Sequence, residues 1–452
     1  MSKETSVVSG KVTSIGISAS PIKIRELQFN WGTISNAIQL YNHLTSSDVV
    51  TPEWKYTISR RILKYQSPAI TGKDVKKVQQ CLISLGYSVG PTGDDGIFGK
   101  NTDKAVKYFQ KKNGLKLDGI VGPETRTFLG LQGAAAYVIG TQFTVKAKFT
   151  APEWITSAEI WASSDKDGFD GLGSVADPSK PVLVNFTKGE SDFYDFKIKT
   201  PAVSISLNKT KWQWKCVKIN RTVSSVKSVG SSDHIIYIIC DKPEEPMKKP
   251  WVAVLHKACK WAKNESTLDK AAAKVTEQVN ASIFFEYDTS HGATNYASNG
   301  NFNCSMYLER LNGEVGKGKL LNCTDCACIV STFANALGCK FFESVMGYDF
   351  QCNKIIPIGF INWQVPFGWG FSYHEVAWTG ACSDSDILCD ACLKVDGDTD
   401  PTKSPHTELL PINTKFHVAG QTLYKERLAA NTPSGLPNCN PKPTNMKRRS
   451  VI

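Results

Sequence analysis

The sequence lacks any long apolar run. Its 452 residues contain no stretch of about 18 consecutive apolar residues, the length that a membrane-spanning helix requires, so we expect no membrane span. The first residues, 1–23, are rich in Ser and Thr and lack the continuous apolar segment of a secretory signal. We therefore expect a protein that is cytoplasmic before release and reaches the cell envelope or the extracellular space by a leaderless route, such as a secretion system, an injection particle or lysis.

The sequence also lacks a stripe of basic residues interleaved with aromatic ones, although the whole chain is basic. Lys and Arg outnumber Asp and Glu by 53 to 42, which gives a formal net charge of +11. Without such a stripe we expect no nucleic-acid partner, whereas the excess of positive charge favours other polyanions, among them teichoic acids and acidic glycans. Basic residues near the chain end lie among Pro and Asn, which predicts a flexible, solvated tail over residues 426–452.

Extreme composition is absent as well, with one exception. Hydrophobic residues make up 41% and charged residues 21% of the chain, which excludes a disordered or fibrous protein, and the length predicts about two to four domains. The exception is cysteine, because 14 are present and nine of them lie between Cys304 and Cys392. An even number permits disulfides, but their pairing cannot be read from the sequence.

The most regular pattern lies in residues 61–132. An apolar stripe at helical spacing predicts a first helix that ends at Gly86. The stripe consists of Val75, Val78, Cys81, Leu82 and Leu85. Two similar motifs follow, DGIFGKNT at 95–102 and DGIVGPET at 118–125, and each joins an Asp-Gly turn to a Thr that suits a helix start. Between them a second apolar stripe stops at Asn113-Gly114, so we predict a small module of three helices.

The run DVKKVQQCLISLGY, followed by DGIFGKNTDKAVKYFQKKNGLKLDGIVGPET, resembles the peptidoglycan-binding domain of many wall hydrolases. The turn repeats, the Phe-Gln pair of the second helix and the closing Gly-Pro-x-Thr occur in the family's order. The resemblance implies that peptidoglycan or its stem peptides are the partner. The residues that we assign to this wall-binding module are Asp95, Gly96, Phe98, Phe109, Asp118 and Gly119. A spacer or protein-docking role for the same fold is the alternative.

The segments on either side of this module give weaker signals. Residues 1–60 have no assigned role, although apolar residues at helical spacing predict a short helix around 34–43. From 133 to 246 the hydrophobic period changes to two, as in Val182, Val184 and Phe186 or in Trp212, Trp214 and Cys216, with turn residues between the runs. Several short strands of this kind predict a β-sandwich that serves as a spacer or an accessory binding domain.

The residues with the clearest chemistry lie in 247–425, where two amphipathic helices precede a third. Asn322 suits the N-cap of the third helix, and Asp325 stands at the capping-box position. Cys323 then occupies the first helical position, where backbone N–H groups and the helix dipole stabilise a thiolate, the nucleophilic form of cysteine. His374 lies in a strand pattern, and the next strand candidate, 391–396, ends at Asp396. Together, Cys323, His374 and Asp396 suit a catalytic triad.

This order of residues resembles the transglutaminase-like superfamily, which has a papain-like fold, over about residues 250–420. The family's cysteine motif matches at Cys323, Asp325, Ala327 and Gly338. The resemblance implies that Cys323 is the nucleophile, His374 the general base and acid, and Asp396 the residue that orients the imidazole, with Asp398 as the reserve acid. The sequence departs from the family at Asn322, where Gly is frequent, and at Cys326 and Glu375, where aromatic residues are common.

Other interpretations of the same residues remain open. Cys323-x-x-Cys326 and Cys389-x-x-Cys392 are compatible with one four-sulfur zinc site, although the gap between the pairs is long for a compact zinc module. His374 is also compatible with a buried sheet histidine, and the acids after residue 395 with a solvated turn or a weak calcium loop. Because the three candidate residues follow the family order, we prefer the triad and predict no metal and no cofactor.

The sequence thus predicts a multidomain α+β chain. It consists of a helical peptidoglycan-binding-like module, a β-sandwich spacer and a papain-like, transglutaminase-like α+β catalytic domain. The preferred function is a wall-targeted cysteine enzyme that cleaves or transfers amide bonds through a thioester at Cys323, above all a peptidoglycan peptidase or amidase. The alternatives are a non-enzymatic structural or surface particle protein that the module anchors, or an injected effector that deamidates or transamidates host proteins.

Overall fold

The computed structural model describes residues 20–29, 40–49, 61–164, 169–398 and 400–452, which have a mixed α+β architecture. The first described strands are β1 (Lys23–Phe29), β2 (Leu40–Asn42) and β3 (Ser47–Val49). Strands β2 and β3 form an antiparallel hairpin, so the end of the helix predicted around 34–43 is a strand, and residues 30–39 lie outside the described residues. Among the described residues, no helix is both long and apolar enough to cross a membrane.

Residues 61–132, here called the helical module, fold around the predicted apolar stripes. The helices are α1 (Lys73–Ser84), α2 (Lys100–Lys112) and α3 (Pro123–Phe128). Val75, Val78 and Leu82 of α1 are buried, and Gly86 has the left-handed φ of +82° that ends this helix. The stripe at period 3.6 therefore marked the packed face correctly.

Two buried glutamines hold the repeated Asp-Gly turns of the helical module. The side chain of Gln79 donates to Asp95 Oδ1 at 2.9 Å and accepts from the backbone N–H of Gly96 at 2.8 Å. The side chain of Gln110 repeats this arrangement with Asp118 at 3.0 Å and with the N–H of Gly119 at 2.9 Å. Phe98 and Phe109 are fully buried. The six residues assigned to the wall-binding module therefore lie in its turns and core, and Asp95 is exposed at the first turn.

Residues 134–239 form the predicted all-β region. The strands are β4 (Ala134–Val138), β5 (Thr144–Thr150), β6 (Ser157–Ser164), β7 (Gly171–Ser174), β8 (Val182–Thr187), β9 (Glu190–Ser191), β10 (Tyr194–Ile198), β11 (Ser206–Ile219) and β12 (Thr222–Ile239). They join β1 in one sheet of ten strands, in which β8 also pairs with β6. The strands are therefore hydrogen-bonded as one continuous sheet, not as two separate sheets, and β1 brings part of segment 1–60 into it.

Residues 247–452, here called the C-terminal region, are built around a buried helix. The helices are α4 (Val252–Trp261), α5 (Leu268–Asn280), α6 (Cys304–Leu311), α7 (Cys323–Asn335) and α8 (Tyr424–Leu428). The strands are β13 (Glu286–Tyr287), β14 (Asn301–Phe302), β15 (Leu320–Leu321), β16 (Phe342–Gln351), β17 (Ile356–Pro357), β18 (Gly370–Trp378), β19 (Ile387–Cys389), β20 (Leu393–Asp396), β21 (Glu408–Leu409), β22 (Thr414–Lys415) and β23 (Ser450–Val451). All residues of α7 are buried, and this helix packs against β18 and α5. The sheet order β16-β18-β19-β22 places β18 at its centre.

The last residues of the chain pack into the C-terminal region, which corrects the prediction of a flexible tail. The Arg449 guanidinium is buried and lies 2.6 Å from Glu343 and 2.9 Å from Glu375, both of which are buried as well. Strand β23 pairs in parallel with β14. The run of basic residues suggested that this segment is solvated. Two buried carboxylates, those of Glu343 and Glu375, instead require a buried counter-ion, and Arg449 provides it.

We expect Arg449→Met to lower the free energy of unfolding by about 3–5 kcal/mol, because it leaves Glu343 and Glu375 buried without their counter-ion. Urea denaturation at pH 7 measures this loss. Lys447→Met is the matched control, since Lys447 lies on the solvent side of Glu375 at 3.9 Å and is partly exposed. A loss below about 1 kcal/mol is expected for the control. Equal losses of unfolding free energy in the two variants would contradict the assignment of Arg449 as the counter-ion of Glu343 and Glu375.

Candidate active site

The start of α7 has the geometry that the sequence predicted. The side chain of Asn322 accepts from the backbone N–H of Asp325 at 3.0 Å, and Asp325 accepts from the N–H of Asn322 at 3.1 Å, which completes a capping box. Asp325 also accepts from the N–H groups of residues 295–297 and so fixes that loop beside the helix. Cys323 is the first helical residue and is 2% exposed. The capping box thus sets the position of the Cys323 thiol.

A buried hydrogen-bonded chain approaches this thiol from β18. His374 Nε2 lies 2.9 Å from Asp390 Oδ2, and both side chains are buried. The Tyr424 hydroxyl donates to the same carboxylate oxygen at 2.5 Å and lies 3.3 Å from His374 Nε2. The second oxygen of Asp390 accepts from the N–H of Cys392 at 2.7 Å. Asp390 is therefore fixed on both oxygens and fixes the imidazole in turn.

The other ring nitrogen of His374 is free for Cys323. Nδ1 is buried and has no hydrogen-bond partner within the described ranges, and Cys323 Sγ lies 4.0 Å from the carbonyl oxygen of Tyr373, the residue before His374. Burial alone would lower the pKa of His374, but the Asp390 carboxylate and the Cys323 side chain outweigh burial and raise this pKa to about 10. The ring is therefore protonated at neutral pH and can act as a proton donor beside the Cys323 side chain.

Asp396, the predicted orienting acid, does not contact His374. Its Oδ2 lies 2.6 Å from His406 Nδ1, and its Oδ1 accepts from the N–H of Thr407 at 3.0 Å. The reserve acid, Asp398, follows it in the same loop and donates its N–H to Asp396 Oδ1. The structure thus brings Cys323 and His374 together but places Asp396 and Asp398 elsewhere, and the carboxylate beside the imidazole is that of Asp390.

The sheet order explains this correction. The strand next to β18 is β19, whose residue Cys389 pairs with Ala377. Strand β20, which carries Asp396, pairs instead with β17 and β21 in a separate sheet. Since Asp390 directly follows β19, the carboxylate beside His374 comes from the end of a strand of only three residues. The sequence contains a weak signal for this carboxylate, because the short apolar run 387–389 is followed directly by an acid.

Two departures from the family pattern have structural roles. Asn322 caps α7, and its Nδ2 also donates to the carbonyl of Gly292 at 3.0 Å. Glu375 forms an ion pair with Arg449 and accepts a hydrogen bond from Oγ1 of Thr324, the second residue of α7, at 2.7 Å. The Glu375 side chain thus ties the helix that carries the thiol to the strand that carries the imidazole.

The alternatives involving a metal lack the required geometry. Within the described ranges, no three His, Cys, Asp or Glu side chains converge so that they could hold a metal ion. All 14 cysteines lie in those ranges, and all are free thiols. The thiol of Cys323 is thus not tied to a second sulfur.

The comparison with protein families identifies one part of the chain. Residues 71–129 match the family model described as "Putative peptidoglycan binding domain". The match lies within the helical module and includes α1, α2 and α3. This part of the chain is therefore similar to a domain family that the sequence motifs also indicated.

Two curated relatives have short regions of similarity to the chain. A "Probable N-acetylmuramoyl-L-alanine amidase" of Bacillus licheniformis is 43% identical over 67 residues, which are 15% of this chain and 19% of the relative. N-acetylmuramoyl-L-alanine amidase CwlM of Mycobacterium tuberculosis is 40% identical over 74 residues, or 16% of this chain and 18% of the relative. The chain thus spans less than a fifth of the length of these curated relatives.

Among solved structures, the transglutaminase of red sea bream is similar to this chain, with a TM-score of 0.32 and 10% identity. The aligned region covers 62% of this chain and 51% of the transglutaminase chain. At this TM-score the similarity carries no argument about fold or activity. The chemistry of the C-terminal region therefore has to be argued from its own residues.

Proposed function

We propose that this protein is a cell-wall-targeted cysteine amidase or peptidase that cleaves an amide bond of peptidoglycan through a thioester at Cys323. The observation that carries the proposal is the buried arrangement at the start of α7, where His374 lies between Asp390 and the thiol. The helical module supports the choice of substrate, because it matches a peptidoglycan-binding family and the curated relatives are amidases of N-acetylmuramoyl-L-alanine.

The proposed reaction starts at the sulfur. Cys323 Sγ attacks the carbonyl carbon and forms a C–S bond, while His374 gives its proton to the leaving amine as the C–N bond breaks. Water then loses a proton to His374 and attacks the thioester, and Sγ leaves as a thiolate. Within the described ranges, the backbone N–H groups of Cys323 and Thr324 have no acceptor, so they are available to the oxyanion.

The direct test is digestion of purified peptidoglycan. We expect the wild-type protein to release fragments with new amino and carboxyl termini, which mass spectrometry detects. An added primary amine that appears in the products would indicate transfer rather than hydrolysis. If wild-type protein changes no fragment, this substrate class is excluded.

We expect Tyr424→Phe to lower kcat by about 10-fold to 100-fold with little change in KM, because a hydrogen bond to a charged group contributes about 1.5–3 kcal/mol. Tyr424 is a positioning residue, since its hydroxyl contacts Asp390 and the edge of His374. Without this donor the carboxylate attracts the imidazole proton more strongly. The alkaline limb of the pH profile, where His374 loses its proton near pH 10, should therefore move to higher pH.

Tyr307→Phe is the matched control for this substitution. The hydroxyl of Tyr307 is also buried, but it has no hydrogen-bond partner within the described ranges. We expect its removal to change neither kcat nor the pH profile. A pH profile of Tyr424→Phe that coincides with that of the wild type would show that the hydroxyl has only a packing role.

A further inference from the structure

A cavity of about 300 Å³ lies where the helical module meets the C-terminal region, apart from Cys323 and His374. Tyr87 and residues 112–114 line it from the module, helices α4 and α6 line it from the C-terminal region, and residues 43–44 close a third side. A volume of this size is at the lower end of small-molecule sites, about 300–1,000 Å³, and suits one sugar ring or a dipeptide.

The two walls of this junction cavity are joined by direct contacts. Asn312 Nδ2 donates to the carbonyl of Lys112 at 2.9 Å, and Lys111 lies 3.1 Å from Glu314. Gly114 approaches Asn312 so closely that an added Cβ would lie 2.2 Å from its Oδ1. Because hydrogen bonds and close packing hold both walls, the cavity exists before any ligand enters.

One cation in the wall of the cavity has no counter-ion. Lys257 Nζ donates to Asn312 Oδ1 at 3.1 Å, and within the described ranges no carboxylate forms an ion pair with it. Lys112 differs, since its ammonium lies 3.8 Å from Glu309. Burial lowers the pKa of Lys257 to about 8, so it is still largely protonated at neutral pH, whereas burial lowers that of His256 to about 4 and leaves this ring neutral.

The half-buried ammonium of Lys257, which has a single hydrogen bond, favours the binding of an anion. Tyr87, Asn113 and Ser305 add neutral hydrogen-bonding groups to the wall, and Leu44 and Leu308 add apolar surface. Lys112 and Glu309 also line the cavity but pair with each other, so Lys257 is the lining cation without a counter-ion among the described residues. Such a lining suits a small polar molecule that carries one negative charge.

We propose that the junction cavity binds a sugar- or dipeptide-sized anionic fragment of the cell wall, whose carboxylate or phosphate pairs with Lys257. This inference rests on the proposed function for its choice of ligand, but not on Cys323 chemistry. A wall fragment held here would contact the helical module and the C-terminal region at once, which would couple wall recognition to the region that carries the active site.

The test is calorimetric titration of the full chain carrying Cys323→Ala, so that no probe is consumed. One arm uses N-acetylmuramic acid, a single sugar ring with one carboxylate, as the carboxylate probe, and the other uses glycerol 3-phosphate as the phosphate probe. We expect saturable binding of at least one probe, and the arm that binds identifies the anion. Lys257→Met should weaken this binding at least 10-fold, and Lys257→Arg, which keeps the charge, should retain most of it.

Lys263→Met is the control, because Lys263 is exposed just beyond α4 and does not line the cavity. We expect it to bind the probe as the parent does, and thermal unfolding checks that each variant is folded. Equal affinity in the parent and in Lys257→Met, or no binding of either probe, would overturn the proposal. Since binding is measured without catalysis, a wild-type protein that binds the probe but cleaves no peptidoglycan would contradict only the proposed function.

Discussion

Replacing Cys323 with Ala is expected to lower the rate of peptidoglycan cleavage on the order of 10⁴-fold or more, because the proposed reaction has no other atom that can form the acyl intermediate. The protein should remain folded, since the substitution removes one sulfur from the first turn of a helix that Asn322 and Asp325 still cap. Release of amino groups from purified peptidoglycan, at equal protein concentrations, measures the rate.

Cys326→Ala is the matched control for this substitution. Cys326 is also buried and lies in α7, but its thiol forms a hydrogen bond with Cys392, whereas the thiol beside His374 is that of Cys323. We expect its rate to stay within about 3-fold of the wild type. Hydroxylamine adds a chemical readout, because it should convert a thioester in the wild type to a hydroxamate and yield none from Cys323→Ala. A Cys323→Ala protein with more than about a tenth of the wild-type rate would exclude the thioester.

Local patterns predicted the parts of the fold in which one face of an element is buried. The alternation in 212–216 corresponds to strand β11, in which Trp212, Trp214 and Cys216 are buried. The capping box at Asn322 was readable because it depends on two residues three positions apart. Both signals come from neighbours along the chain, so the sequence contains them directly.

Contacts between distant segments could not be predicted in this way. Arg449 belongs to a run of basic residues, and only the fold shows that it lies between Glu343 and Glu375. Tyr424 lies 50 residues after His374 on a helix of five residues, which has too few turns to show a period. Such residues are identified by the partner that they meet in space.

The choice between Asp390 and Asp396 shows the same limit inside the site. Asp396 ends the stronger strand pattern, and Asp390 follows a strand of three residues. The length and regularity of a strand pattern do not decide which strand pairs with β18, because the pairing depends on the sheet order. The sequence therefore indicated an acid beyond His374, and the structure places Asp390 rather than Asp396 beside the imidazole.

Asp390→Asn is expected to lower kcat by on the order of 10²-fold to 10⁴-fold, because an amide neither attracts the imidazolium nor fixes its tautomer. The pH profile supplies a second readout. Asp390 raises the pKa of His374 to about 10, so the ring keeps its proton until the pH passes that value. Without the carboxylate this pKa falls, and the alkaline limb of the profile should move to lower pH, opposite to the shift expected for Tyr424→Phe.

Asp396→Asn separates the two candidate acids within one experiment. The Asp396 carboxylate binds His406 and the N–H of Thr407, so its substitution should lower stability and leave kcat within about 3-fold of the wild type. The rate is therefore measured well below the unfolding temperature of the variant. The reverse result, a loss of activity in Asp396→Asn and none in Asp390→Asn, would restore the acid chosen from the sequence and would mean that the 2.9 Å contact between His374 and Asp390 has no part in catalysis.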